Sequence, residues 1–303
     1  PWTARGACVA LACVLLAACR GTPPAPPSAS ARPALDMTRV HALMINGGGR
    51  PPINFQSHLL HVRELYALLQ QAGVPRRQIA IFSGDGEDPG DDVAVREVEP
   101  GGAFWLLRGT HFEHAFGTQT TYANSTVAGA RLEAATKANL TTWFADARTQ
   151  LRAGDTLLLY VTDHGTKNAD DLTNNKITLW GEHETLSVGE LRELLLPLDP
   201  GVRVVMLMSQ CFSGAFANLR DVHAGDGAPR GDVCGFFSST ADRPAYGCYP
   251  ENRGRENVGH SFLFLQALRA TPRFPDAEAA VLVGDQTPDV PITTSGEYAA
   301  ALV

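Results

Sequence analysis

Short apolar runs alternate with helical patterns along most of this chain. Five of the runs have the length and composition of buried strands. They cover residues 40–46, 78–82, 156–162, 204–208 and 235–239. Between them, apolar residues recur at helical spacing, and Ser187 is placed to cap one further helix. The helical stretches are 57–71, 129–151 and 258–270. Strands that alternate with helices predict an α/β/α sandwich with a mostly parallel central sheet.

Two of the predicted strands end in side chains that can carry chemistry. Residues 156–162 lead into Asp163-His164-Gly165, and residues 204–208 lead into Ser209-Gln-Cys211. Functional groups collect at the carboxyl ends of the strands in an open parallel sheet. A thiol beside an imidazole is a nucleophile with its base. Either residue alone is more often structural, but their matching positions favour a functional pair.

These motifs resemble those of the legumain family of cysteine peptidases. The match is close at Tyr160-Val-Thr-Asp-His-Gly165 and holds in outline at Gln210-Cys-Phe-Ser-Gly214. Three further blocks agree in order and extend the likeness over roughly residues 40–270. They are residues 42–47, residues 54–66 with His58 and Tyr66 in matching spacing, and residues 237–249. The resemblance implies a caspase-like fold and a cysteine endopeptidase that acts on protein or peptide substrates.

The resemblance also implies roles for four residues. Cys211 is expected to attack a peptide carbonyl, and His164 to transfer the protons. Backbone N–H groups of Cys211 and Gly165 are expected to bind the oxyanion. Asn54 is the nearest match to an Asn that assists the His in the family, although one extra residue separates it from His58. This chemistry requires no metal and no organic cofactor.

Asp163 precedes the predicted base directly. Neighbouring residues on a strand point to opposite faces of the sheet. On that ground Asp163 is expected to point away from His164 and not to orient it.

Two other functions remain open at this point. An inactive, caspase-like binding lipoprotein would keep the scaffold without the reaction, although the intact Cys–His pair counts against it. A transpeptidase or ligase would use the same pair and pass the acyl group to an amine.

The expected specificity pocket departs from that of the relatives. In the legumains that this chain resembles, strict cleavage after Asn is attributed to paired charges in the substrate pocket. They are an Arg before the His of the first helix, acids beside the nucleophile and an Asp in a later loop. Ser57, Ser209 and His260 stand at or near those positions here. A site without fixed donors and acceptors for an amide cannot strongly reject alternatives. The expected substrate-binding residues are Ser57, His58, Ser209, Ser238, Ser239 and His260.

The amino-terminal residues are typical of export. Arg5 precedes an apolar run that is too short to span a bilayer, and Leu16-Ala-Ala-Cys19 resembles a bacterial lipoprotein cleavage box. We therefore expect a signal peptide over 1–19, lipidation of Cys19, a Pro/Ala/Ser-rich tether over 20–37 and the peptidase domain over 38–303. An extracytoplasmic lipoprotein, anchored to the membrane by its lipid, is the predicted location. An ordinary signal peptide remains the alternative.

The net charge limits the classes of binding partner, and the cysteine content limits the possible disulfides. The net charge of −7 argues against nucleic acid as a partner, because nucleic acid selects basic surfaces. Cys211, Cys234 and Cys248 are the three cysteines that follow residue 19. Outside the cytoplasm Cys234 and Cys248 could pair and leave Cys211 free, or both could stay reduced; spacing does not decide between these.

Overall fold

The fold is taken from a computed structural model. It describes residues 36–98, 104–113, 117, 119–222, 232–255, 258–271 and 273–295. The predicted signal peptide, Cys19 and the tether up to residue 35 lie outside the described residues, so those interpretations remain predictions. None of the helices in the described ranges is both long and apolar enough to span a membrane.

A seven-stranded sheet forms the centre of the molecule. Its strand order is β12-β11-β10-β6-β1-β2-β5, and every neighbouring pair is parallel except β11 with β12. The strands are β1 (Val40–Asn46), β2 (Ile79–Ser83), β5 (Leu132–Glu133), β6 (Thr156–Thr162), β10 (Arg203–Met208), β11 (Asp232–Phe237) and β12 (Ile292–Thr293).

In the part of the chain that the structure describes, five helices pack on the two faces of this sheet. They are α1 (Gln56–Ala72), α2 (Lys137–Gln150), α3 (Val188–Leu195), α4 (Gly259–Ala270) and α5 (Phe274–Gly284). The apolar side chains of α1, α4 and α5 form one buried cluster, and those of α2 and α3 form a second. The predicted α/β/α sandwich with a mostly parallel sheet is therefore confirmed.

Strand β6 shows why the sequence pattern produces this architecture. All seven of its residues are buried, as expected for a central strand covered on both faces. Leu157, Leu159 and Val161 belong to the cluster with α2 and α3. Leu158 and Tyr160 belong to the opposite cluster. Alternate residues thus contribute to two separate cores, and a one-residue shift in register would exchange them.

Two small antiparallel sheets lie outside the central one. Strands β3 (Val93–Val98) and β4 (Gln119–Ala123) pair with each other to form one of them. Strands β7 (Gly165–Thr166), β8 (Lys176–Thr178) and β9 (Thr185–Ser187) form the other sheet. This second sheet begins directly after His164 and therefore fixes the chain where it leaves β6.

The helix predicted over 129–151 is wrong in its first part. Residues Leu132–Glu133 pair with β2 as an edge strand, and α2 begins only after Thr136, whose hydroxyl accepts the Asn139 N–H. Helix α3 begins where the sequence predicts. Ser187 and Glu190 form a capping box there, in which each side chain bonds the backbone of the other residue.

Candidate active site

The expected nucleophile and base lie at the ends of neighbouring strands. Strands β6 and β10 pair in parallel with Val161 opposite Met208, and the Ser209 N–H donates to the Val161 carbonyl at 2.8 Å. His164 follows Val161 by three residues, as Cys211 follows Met208. Both residues therefore leave the sheet at the same edge, where parallel α/β sheets form their functional crevice.

A neighbour of each of these two residues has a left-handed backbone conformation, where the chain leaves the strand. Asp163 has φ 76°, and Phe212, directly after the cysteine, has φ 60°. Such values are uncommon outside glycine and occur mostly where surrounding structure enforces them. Gly165 lies so close to the nucleophile loop that a Cβ there would overlap the carbonyl of Cys211. The absence of a side chain at Gly165 is thus what allows the two loops to touch.

The groups around the Cys211 sulfur favour its thiolate form. The side chain is buried at 7% exposure, and its Sγ accepts the Ala245 backbone N–H at 3.2 Å. A hydrogen bond from the Cys248 thiol lowers the pKa of Cys211, and the N–H groups of Ala245 and Gly165 act in the same direction against the opposing effect of burial. A thiolate is the nucleophilic form of cysteine, so these contacts prepare Cys211 to react.

The imidazole of His164 is held through its Nε2 atom. This atom lies 2.8 Å from the carbonyl oxygen of Ile53. A carbonyl can only accept, so the proton of the neutral ring is on Nε2, and Nδ1 is left as the basic nitrogen. The ring also meets Phe55 edge-on, with 5.0 Å between the centroids. The residues around the start of α1 thus set both the orientation and the tautomer of His164.

Asp163 contacts the base, contrary to the expectation from strand alternation. Its Oδ1 lies 3.4 Å from His164 Nε2 and 3.9 Å from His58 Nε2. Its positive φ ends the strand geometry on which alternation depends. Burial raises the pKa of Asp163 to about 6, and the nearby His164 opposes that rise.

The side chain of Asn54 forms its hydrogen bonds with Asn46 and Asp92. It bonds the Asn46 side chain and, through its Nδ2, the carbonyl of Asp92 at 3.0 Å. The contact to His164 comes instead from the carbonyl of the preceding residue, Ile53. The direct assistance expected of Asn54 stays a prediction, while its observed contacts tie the loop before α1 to β1 and to Asp92.

A small cavity lies where β6 and β10 end, and some of the expected pocket residues line it. His58, Ser209 and His260 line it, together with residues that the sequence did not single out. These are His61, Thr162, Gly247, Val258, Gly259, Ser261 and Asp289. The cavity measures about 10 Å³, which is room for about one water molecule. A substrate side chain can therefore enter only if the walls move.

The other three expected pocket residues, Ser57, Ser238 and Ser239, are not among the residues that line this cavity. Ser238 and Ser239 are fully buried and surround the Ser213 hydroxyl, and Ser238 also donates to the Gln210 carbonyl at 3.3 Å. Ser57 is buried as well, and its N–H donates to the Arg253 carbonyl. In this structure the three serines hold backbone around the cavity and do not line it.

His58 is a neutral group at the base of the site. It is 2% exposed, and its Nδ1 lies 3.0 Å from the Thr162 hydroxyl. Burial, together with the positive charges that His164 and His61 would carry, puts the pKa of His58 well below its usual range. The ring therefore presents a polar but uncharged surface to the cavity.

Ile53, Cys248 and Asp289 are among the groups of this site that the sequence did not predict. The Ile53 carbonyl is a backbone group, so no residue type in the sequence indicates its contact with His164. Cys248 lies within a block that resembles the family, yet it was considered only as a disulfide partner of Cys234; the structure has Cys211, Cys234 and Cys248 as free thiols. Asp289 follows α5, outside the stretch of resemblance, and its carboxylate accepts the Tyr246 N–H. Only Cys248 offered a signal, its residue type within a matched block.

Comparison with known proteins identifies a family. The sequence pattern described as the Peptidase C13 family matches residues 41–274. No curated protein matches the chain significantly.

Two solved structures align with most of this chain at low sequence identity. A crystal structure of a Geobacter sulfurreducens protein aligns with a TM-score of 0.50 and 11% identity, over 84% of this chain and 92% of the other. Caspase-1 from Spodoptera frugiperda aligns with a TM-score of 0.47 and 12% identity, over 86% and 87% of the two chains.

Proposed function

We propose that this chain, which belongs to the Peptidase C13 family, is an active cysteine endopeptidase with Cys211 as nucleophile and His164 as base. The observation that carries the proposal is the parallel pairing of β6 with β10, which brings both residues to one edge of the sheet. The lowered pKa of the Cys211 thiol supports the same assignment. The match to the Peptidase C13 family over residues 41–274 supports the same class of reaction.

The proposed reaction is acyl transfer in two steps. The Cys211 thiolate attacks the peptide carbonyl, and the C–N bond breaks as protonated His164 gives its proton to the leaving amine. A thioester then links the acyl group to Cys211. Water attacks the thioester while His164 takes a proton from it, and the C–S bond breaks to release the carboxylic acid and restore the thiolate.

Backbone N–H groups are proposed to bind the carbonyl oxygen when it becomes negative. The N–H of Gly165 is close enough to the Cys211 sulfur to lower the pKa of the thiol, and the substrate carbon becomes bonded to that sulfur. The N–H of Cys211 is proposed as the second donor, from the same loop as the nucleophile. Fixed donors of this kind stabilise the tetrahedral intermediate more than the substrate, and loss of one typically costs about 10²–10³ in kcat.

Hydrolysis of a peptide library by the purified full-length protein tests the proposal. Mass spectrometry of the products locates each cleaved bond, and iodoacetamide, which alkylates thiolates, should stop the reaction. A protein that binds peptides but cleaves none under reducing conditions would instead support the inactive binding protein. Products joined to an added amine would support the transpeptidase.

Cleavage is predicted not to be confined to bonds after Asn. Ser209 and His260 line the cavity where acidic residues would be expected for strict recognition of an amide, and Ser57 replaces the Arg. A library that carries each of the amino acids at the cleaved position should show products after several residue types. Products found only after Asn would contradict this, and would mean that other residues, such as Asp289, supply the missing charges.

We further propose that the mature protein begins at a lipidated Cys19 on the outer side of a membrane. The observation behind it is the sequence Leu16-Ala-Ala-Cys19. Burial of acyl chains stabilises anchoring by about 0.8 kcal/mol per methylene. Cells that express the full chain should incorporate a fatty-acid analogue into the wild type and not into Cys19→Ser. Equal labelling and equal membrane binding of the two proteins would refute the anchor.

A further inference from the structure

The nucleophile has a second thiol beside it. The Cys248 thiol lies within hydrogen-bonding reach of the Cys211 sulfur, and this contact lowers the pKa of Cys211 and raises that of Cys248. It also lies 3.1 Å from the Asp163 carbonyl. Cys248 is therefore poised between the two acceptors, one on each of the loops that form the site.

A single backbone turn holds both sulfurs in place. The Ala245 N–H donates to Cys211 Sγ at 3.2 Å, and Ala245 O lies 3.8 Å from the same sulfur. That carbonyl also accepts the Cys248 N–H at 3.2 Å, which closes a short 3-10 turn over Tyr246–Cys248. Because one residue contacts the nucleophile and fixes the position of the second cysteine, the proximity of the two thiols is built into the fold of this loop.

We propose that Cys248 is a resolving thiol for Cys211, so that a hydroperoxide converts the nucleophile into a Cys211–Cys248 disulfide. The inference deepens the proposed function, since it concerns the same nucleophile. The modification would stop peptide cleavage and protect Cys211 from further oxidation. Disulfides persist in oxidising compartments, which agrees with the location proposed above.

The chemistry requires one oxidant, the hydroperoxide. The Cys211 thiolate attacks a peroxide oxygen, the O–O bond breaks, and the departing alkoxide or hydroxide takes up a proton. Cys211 is then a sulfenic acid, oxidised by two electrons, and the peroxide is reduced to an alcohol or water. Cys248 loses its proton and attacks the Cys211 sulfur. An S–S bond forms, the S–O bond breaks, and the hydroxide leaves with that proton as water.

The electrostatics of the pair set the order of these two steps. The hydrogen bond to Cys211 and, after it, burial raise the pKa of Cys248 well above its usual range. Cys211 is thus the thiol of the pair that ionises more readily, and Cys211 reacts first. Oxidation of Cys211 to the neutral sulfenic acid removes the adjacent negative charge, and the Cys248 thiol then ionises more readily.

Treatment of the full-length protein with hydrogen peroxide tests this inference. Peptide mapping by mass spectrometry should show a linkage between the Cys211 and Cys248 peptides, with the loss of two hydrogen atoms. Dithiothreitol should reverse the linkage. In Cys248→Ser, which keeps a hydrogen-bond donor of similar size, peroxide should drive Cys211 to sulfinic and sulfonic acid, which dithiothreitol does not reduce.

The matched control is Cys234→Ser. Cys234 is a partly buried thiol on β11 whose pKa burial raises, and its replacement should leave the Cys211–Cys248 linkage unchanged. Wild-type Cys211 that goes to sulfinic acid without the linkage would overturn the inference, whatever the peptidase activity. A linkage that forms in a protein without peptidase activity would overturn the proposed function and leave this inference standing.

Discussion

Replacement of Cys211 by Ala is expected to lower kcat/KM for peptide hydrolysis by roughly 10⁴–10⁶-fold, as loss of a nucleophile does in other acyl-transfer enzymes. The proposed thioester cannot form without the sulfur. The protein should stay folded. The smaller side chain introduces no steric clash, and the only hydrogen bond that the buried Ala245 N–H loses is one to a weak sulfur acceptor. Circular dichroism and thermal unfolding would check the fold, and progress curves with a cleavable peptide would give kcat/KM.

Cys234→Ala is the matched control for that experiment. It removes a thiol of the same type from β11, whereas Cys211 follows the end of β10. Activity should stay near that of the wild type in the control. A Cys211→Ala protein that cleaves peptides as fast as the control would sink the assignment of the nucleophile.

Replacement of His164 by Ala is expected to lower kcat/KM by about 10²–10⁴-fold, the usual contribution of general acid–base catalysis. The variant keeps the thiol but loses the group that protonates the leaving amine. The effect should fall mainly on kcat, since the ring is proposed to act in bond breaking. Steady-state kinetics over a range of peptide concentrations would separate kcat from KM.

His183→Ala serves as the control for His164→Ala. His183 is an exposed histidine, with 92% of its side chain accessible, on the turn between β8 and β9. Its loss should leave the kinetics unchanged. Equal kcat values for wild type and His164→Ala would mean that another group carries the protons.

The central sheet could be predicted from the sequence because its signal is strong and local. The buried runs of β1, β6 and β10 are continuous and bounded by polar residues, and such runs are typical of strands covered on both faces. The two-residue strand β5 has no comparable signal. Its residues continued the helical pattern of α2, so the sequence favoured a longer helix than the one that forms.

The position of Cys211 and His164 could also be predicted, but the contacts around them could not. Strand alternation failed at Asp163, because a positive φ ended the strand one residue before the base. The hydrogen-bond partner of His164 is the Ile53 carbonyl, a backbone group that no residue type indicates. Asp289 reaches the cavity from the segment after α5, and only the folded chain brings it there.

Mass spectrometry of the enzyme quenched in acid during turnover tests the central claim most directly. A slowly hydrolysed ester or peptide should leave its acyl group on the protein, and peptide mapping should locate that group on Cys211 as a thioester cleaved by hydroxylamine. Cys211→Ala should carry no such adduct. An acyl group found on another residue, or turnover with Cys211 unmodified at every time point, would contradict covalent catalysis by Cys211.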